Sequence, residues 1–113
     1  MATGQTSSDD GPALSDKTGL AEPWFVYLAR CADGTLYTGI ALDVAARIAL
    51  HDAGRGAKYT RGRGPLSVCA TRRCRSKGEA LRLELAIKRL GRERKERLTV
   101  QRRLAAFARQ SAA

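Results

Sequence analysis

A small α/β domain of the α+β kind, a sheet with helices laid against it, is predicted for this 113-residue chain by three observations. An aromatic, apolar run turns back on itself through an Ala-Asp-Gly corner. A further short apolar segment follows some thirty residues later. Around and after it lie stretches with helical periodicity and recognisable helix caps.

Trp24 to Cys31 (WFVYLARC) is almost continuously apolar, the pattern of a strand covered on both faces. Ala32-Asp33-Gly34 reads as a turn, and Thr35 to Ile40 (TLYTGI) as the returning strand. The length of that turn decides where two tyrosines point. With a two-residue Asp33-Gly34 loop, Tyr37 would oppose Arg30, and the phenols of Tyr27 and Tyr37 would lie on opposite faces, because side chains alternate with period two. A three-residue loop with Gly34 left-handed pairs Cys31 with Thr35 and Ala29 with Tyr37, so both phenols share a face. Ala-Asp-Gly suits the longer loop, since glycine takes a positive φ without steric cost.

Asp43 is a good N-cap for a helix over Val44 to Ala53, with Gly54 just past its end. Val44, Ile48 and His51 fall on one stripe of that helix, and Arg47 flanks it one turn before His51. Gly54 to Pro65 (GRGAKYTRGRGP) is a loop whose flexible backbone, basic heads (Arg55, Lys58, Arg61, Arg63) and single aromatic, Tyr59, suit contact with a sugar-phosphate strand. Leu66 to Thr71 is a third short strand. Lys77 to Leu90 is the clearest helix, capped by Ser76 with Glu79 three residues on as a capping box. Shorter basic helices follow over Arg92 to Leu98 and Val100 to Arg109. The run Lys88, Arg89, Arg92, Arg94, Lys95, Arg97 reads as a second, sequence-blind surface for nucleic-acid backbones.

Composition divides the chain. Residues 1 to 23 are rich in Ser, Thr, Gly, Pro and Asp, with too little apolar bulk to offset the entropy of ordering, and read as a disordered acidic tail. Residues 24 to 100 form the domain, and 101 to 113 a basic C-terminal helix or tail. The tail sets Asp9, Asp10, Asp16 and Glu22 against Lys17 alone, so the whole positive excess, +10 for the chain, falls on the remainder. Such a field attracts polyanions, nucleic acid before acidic membrane. No apolar run approaches a spanning helix, and the N-terminus lacks the apolar core of a signal peptide, which predicts a cytoplasmic protein that does not enter membranes. Cys31, Cys69 and Cys74 form no CxxC pair, and one histidine cannot complete a zinc site with them; idle reduced thiols are the expectation.

Glu84 is the most informative carboxylate. On a helical wheel Ala80, Leu83, Ile87 and Leu90 make one arc, Leu81 extends it, and Glu84 falls inside it. An ionised carboxylate there needs a cation. Arg47 would serve as a salt-bridge partner; alternatively Glu84 holds a hard divalent ion, magnesium or manganese, which accepts one or two protein carboxylates plus water. With one carboxylate, another group must prepare a nucleophile. A phenol of ordinary pKa is only about 0.1% ionised at pH 7, and closing that gap takes roughly 4 kcal/mol, which a cation nearby can supply. Arg47 suits a bidentate grip on a scissile phosphate, and His51 suits activating a tyrosine or protonating a leaving oxygen. Standing alone, each tyrosine is a core aromatic and His51 a core-edge imidazole.

Taken together, Val26-Tyr27-Leu28, Tyr37-Thr38-Gly39, Arg47, His51 and Glu84 resemble a GIY-YIG nuclease domain, and most of all its small standalone bacterial members, over about Trp24 to Thr99. The resemblance implies a three-stranded antiparallel sheet flanked by helices and one Mg2+ or Mn2+ held by Glu84. It implies Tyr27 and Tyr37 as the motif tyrosines, either serving as general base, with Tyr27 favoured. Arg47 becomes the phosphate arginine and His51 the helix residue one turn later. The first motif reads VYL where the family name has GIY. Many relatives place an asparagine after the glutamate; this sequence contains none, and Thr99 or Glu96 stands as the substitute. The function implied is a metal-dependent DNA endonuclease guided by substrate shape, with RNA as a second substrate class, acting as a monomer with a targeting partner. A non-catalytic nucleic-acid-binding module of the same fold is the alternative.

Overall fold

The computed structural model describes residues 23 to 112; the expected tail, apart from Pro23, lies outside them. Three strands form one antiparallel sheet in the order β2-β1-β3, with β1 over Trp24–Arg30, β2 over Leu36–Ala41 and β3 over Ser67–Cys74. The aromatic run is therefore the central strand, and its middle residues, Val26 to Ala29, are buried from both sides as a doubly covered strand must be.

The hairpin has the three-residue turn. Gly34 stands at φ +89, the Cys31 amide donates to the Thr35 carbonyl at 2.8 Å, and Ala29 pairs with Tyr37. The third strand is longer than expected, running on through Thr71 to Cys74. Arg72 and Arg73 look like a strand end in sequence, yet they pair with Val26 and Phe25 and carry the strand to the buried Cys74. A register shift opposite Leu28 and Ala29 leaves Cys69 as the extra residue of a bulge.

Four helices complete the fold: α1 over Val44–Asp52 lies between β2 and β3, and α2 over Lys77–Lys88, α3 over Arg92–Arg97 and α4 over Gln101–Ala112 follow β3. The Asp43 side chain accepts from the Ala46 amide, as its cap position requires. α1 closes with a Schellman pair, Gly54 N to His51 O and Arg55 N to Leu50 O, which turns the chain back over the helix end. Ser76 caps α2 through the Glu79 amide, but Glu79 reaches the Arg75 amide rather than that of Ser76, one residue earlier than a reciprocal capping box.

Side chains alternate across the sheet into two clusters. Val26, Leu28, Ala70 and Cys74 pack under α2 and α4, against Ala80, Leu83, Ile87, Leu98, Leu104 and Ala108. Tyr27, Ala29, Cys31, Ala41 and Leu66 form the second cluster, with Val44 and Ile48 of α1 against it. Leu104 of α4 is wholly buried in the first cluster, a burial whose loss costs about 2 to 5 kcal/mol, so this helix contributes to the core. Leu81, expected to extend the apolar arc of α2, is instead 45% exposed: the arc that meets the sheet is narrower than the wheel drew it. Among the described residues no helix is long and apolar enough to cross a membrane.

Candidate active site

The three-residue turn brings Tyr27 and Tyr37 to one face with ring centroids 6.1 Å apart, diagonal neighbours across the β1–β2 pair. Gly39, which pairs with Tyr27, makes this possible. A Cβ at position 39 would come within 2.7 Å of Tyr27 Oη and 2.8 Å of Tyr37 Cε2, so both rings occupy the space its missing side chain leaves.

α1 delivers His51 to the same place. Its Nε2 lies 2.9 Å from Tyr27 Oη and its ring meets Tyr37 edge-on at 5.0 Å. The other ring nitrogen, Nδ1, lies 2.6 Å from Thr60 Oγ1, in a 3-10 turn over Lys58–Thr60. Gly56 also approaches so closely that a Cβ there would collide with the imidazole. Sequence reading did not single out Thr60 or Gly56, because both sit in a loop whose glycines and arginines suggested solvent and phosphate; nothing local marks a threonine as buried.

Arg47 is half-buried on α1, and Glu84 sits on α2 with its side chain 18% exposed. Their charges reach both phenols. Tyr27 is pushed well above the ordinary phenol value, first by burial and then by Tyr37, with Arg47 pulling it down and Glu84 pushing it up. Tyr37 is raised by burial and by Glu84, against the lowering effect of Arg47. His51 is held below its ordinary value by burial and by the Arg47 guanidinium, with Asp52 opposing them, so its resting form is neutral. The partner of Glu84 is Lys88, one turn along α2 at 3.3 Å, and not Arg47.

The remaining expected residues divide. Tyr59 is 45% exposed, stacks on Tyr37 at 5.9 Å, and carries the Arg63 guanidinium over its ring at 4.6 Å. Arg63 also pairs with Asp33 of the hairpin turn, so this part of the loop is a pillar beside the tyrosines. Arg55, Lys58 and Arg61 are exposed and, among the described residues, form no ion pair. Lys88 is engaged by Glu84. Glu96, one of the two substitutes for the missing asparagine, accepts two hydrogen bonds from Arg30 at 2.7 and 2.9 Å, which ties α3 to the hairpin and occupies its carboxylate. Thr99 donates its hydroxyl to the Glu96 carbonyl at 2.7 Å.

A family model described as the GIY-YIG catalytic domain matches residues 23 to 97. This chain belongs to the GIY-YIG family. Its relatives include a UPF0213 protein of the archaeon Natronomonas pharaonis, 52% identical over 79 residues that span 70% of this chain and 93% of the relative. A UPF0213 protein of Halalkalibacterium halodurans is 51% identical over 74 residues, 66% of this chain and 79% of that one. A solution NMR structure of a UPF0213 protein from Bacillus halodurans is 50% identical, covers 67% of this chain and 81% of its own, and superposes with a TM-score of 0.45. All of α4 lies beyond the matched residues of this GIY-YIG domain.

The donor set suits a hard divalent ion. Among the described residues no three His, Cys, Asp or Glu side chains gather as a ligand cluster; an ion at this site would have Glu84 as its protein ligand and would take its other oxygens from water and substrate. Cys31 and Cys74 are buried in different clusters on the two faces of the sheet.

Proposed function

We propose that this protein is a metal-dependent endonuclease that hydrolyses phosphodiester bonds in DNA, directed by substrate shape more than by sequence, and that it works in the cytoplasm as a monomer. The observation that carries this reading is the 2.9 Å contact between Tyr27 Oη and His51 Nε2, buried beside a guanidinium and a carboxylate. A structural tyrosine needs only a hydrogen-bond acceptor. This one has a neutral imidazole able to take its proton.

In this reading the attacking water arrives with the substrate and reaches Tyr27 Oη, which is almost wholly buried in the free protein, and Tyr27 removes a proton from it as its own proton passes to His51 Nε2. The relay keeps Tyr27 uncharged, which matters because burial opposes a free phenolate at that site. Water oxygen forms its bond to phosphorus in line with the leaving oxygen, whose bond to phosphorus breaks and which takes a proton from solvent. Arg47 grips the non-bridging oxygens and stabilises the pentacoordinate state, and its neutralisation by the phosphate eases the charge on protonated His51. Tyr37, whose hydroxyl has no hydrogen-bond partner among the described residues, donates to a phosphate oxygen. A magnesium or manganese ion on Glu84 would add electrostatic stabilisation of the developing negative charge. Arg55, Lys58, Arg61 and the outer arginines of α3 hold the flanking backbone.

The test is a cleavage panel of branched, nicked, single-stranded and duplex DNA, with RNA alongside, in magnesium and in manganese. Wild type cuts at least one substrate; Glu84→Ala binds it equally well and cuts none. A wild type inert on every substrate rejects the proposal. The second reading, a nucleic-acid-binding module without catalysis, is favoured by one observation, the Lys88 ammonium resting on Glu84. Under it, Glu84→Ala changes nothing functional, while affinity falls steeply with salt.

A further inference from the structure

We infer that Thr60 is a positioning residue whose hydroxyl keeps the His51 proton on Nδ1, leaving Nε2 bare to receive the proton of Tyr27; the role rests on the relay proposed above. The assignment comes from counting protons. Thr60 Oγ1 has one hydrogen and two close partners, the Ala57 carbonyl at 2.8 Å and His51 Nδ1 at 2.6 Å. A carbonyl oxygen can only accept, so the threonine hydrogen goes to Ala57 and its oxygen must accept from Nδ1–H. Nε2 is then an acceptor, and Tyr27 donates to it.

The opposite tautomer fails at the other end of the chain. With the proton on Nε2, Tyr27 Oη becomes the acceptor and its own hydrogen needs a new partner, yet Tyr27 is 1% exposed and His51 is its one hydrogen-bond partner among the described residues. A buried hydroxyl hydrogen left without an acceptor is costly. Thr60 and His51 are themselves buried, so water does not offer the easy exchange that would blur the choice. The loop is built to hold this contact: the Schellman turn sends the chain back over α1, Gly56 passes against the imidazole where no side chain fits, and the 3-10 turn presents Thr60 to Nδ1. A reversed tautomer would aim Nε2–H at Tyr27 and stop the relay while leaving every side chain in place.

His51 is the chain's single histidine, so the ring nitrogens of the uniformly 15N-labelled full chain give an unambiguous long-range 1H–15N spectrum. At mildly alkaline pH the wild-type spectrum shows Nδ1 protonated and Nε2 bare. Thr60→Val, which keeps shape and removes the hydroxyl, moves the ring toward the other tautomer; Thr60→Ser restores the wild-type pattern. Cleavage follows the spectra, with Thr60→Val about tenfold to a hundredfold slower and Thr60→Ser close to wild type, a part of the roughly 10² to 10⁴ that a general base contributes. A wild-type ring protonated on Nε2 overturns the inference whether or not any variant folds, and so does a folded Thr60→Val with unchanged ring nitrogens. If the spectra come out as stated and wild type cuts nothing, the tautomer control stands and the nuclease reading falls.

Discussion

Gly39→Ala offers the sharpest test of how closely the two tyrosines are packed. The new Cβ would lie 2.7 Å from Tyr27 Oη and 2.8 Å from both Tyr27 Cζ and Tyr37 Cε2, each inside the 3.0 Å that real Cβ atoms respect. Neither ring can swing clear without breaking contacts: Tyr27 is buried in the second cluster and bonded to His51, and Tyr37 lies against His51 and Tyr59. Overpacking of this kind costs about 1 to 3 kcal/mol, which for a domain of this size lowers the melting temperature by roughly 4 to 8 °C per kcal/mol. Gly34→Ala is the control. Its Cβ meets nothing within 4 Å, but φ is +89, so it loses about 1 kcal/mol through backbone strain alone. Both variants are therefore destabilised, and they separate in function. Gly39→Ala pushes Tyr27 off His51 and lowers cleavage by 10² or more, on the order of a lost general base, whereas Gly34→Ala cleaves at the wild-type rate. Thermal melts by circular dichroism with cleavage assays below both transitions would measure this. A Gly39→Ala protein as stable and as active as wild type would refute the packing argument.

His51 and the outer edge of the sheet give two further outcomes. The pKa of His51 is lowered on folding, so the unfolded chain binds its proton more readily; stability from neutral His51 is complete above about 6.5 and is lost as pH falls through the depressed folded value. Urea melts should therefore weaken below that pH in wild type and less so in His51→Gln, and an acid limb of cleavage that began above pH 6.5 would contradict the assigned resting state. On the outer edge of the sheet, the Gln101 carboxamide accepts from the Thr71 amide at 3.0 Å and donates to the Thr71 carbonyl at 2.6 Å, standing in for a missing strand. Gln101→Ala should cost about 1 kcal/mol, speed hydrogen exchange at Thr71 and raise self-association, and an unchanged exchange rate would show that the cap is idle.

Periodicity and turn chemistry are local, and most of what depends on them could be read from the residues. The Ala-Asp-Gly corner specifies the turn, the turn specifies the register, and the register puts two phenols on one face. The caps at Asp43 and Ser76 and the stop at Gly54 likewise come from groups within a few residues of one another. Folding of the whole chain settled the rest. How far β3 runs past Arg72 and that Leu104 seals the core depend on pairing between residues far apart in the chain, where sequence carries no distance. Thr60 and Gly56 show the reason most plainly: a threonine and a glycine in a basic loop have no periodic neighbours to betray their burial, and only the turn that lays the loop across α1 brings them onto His51.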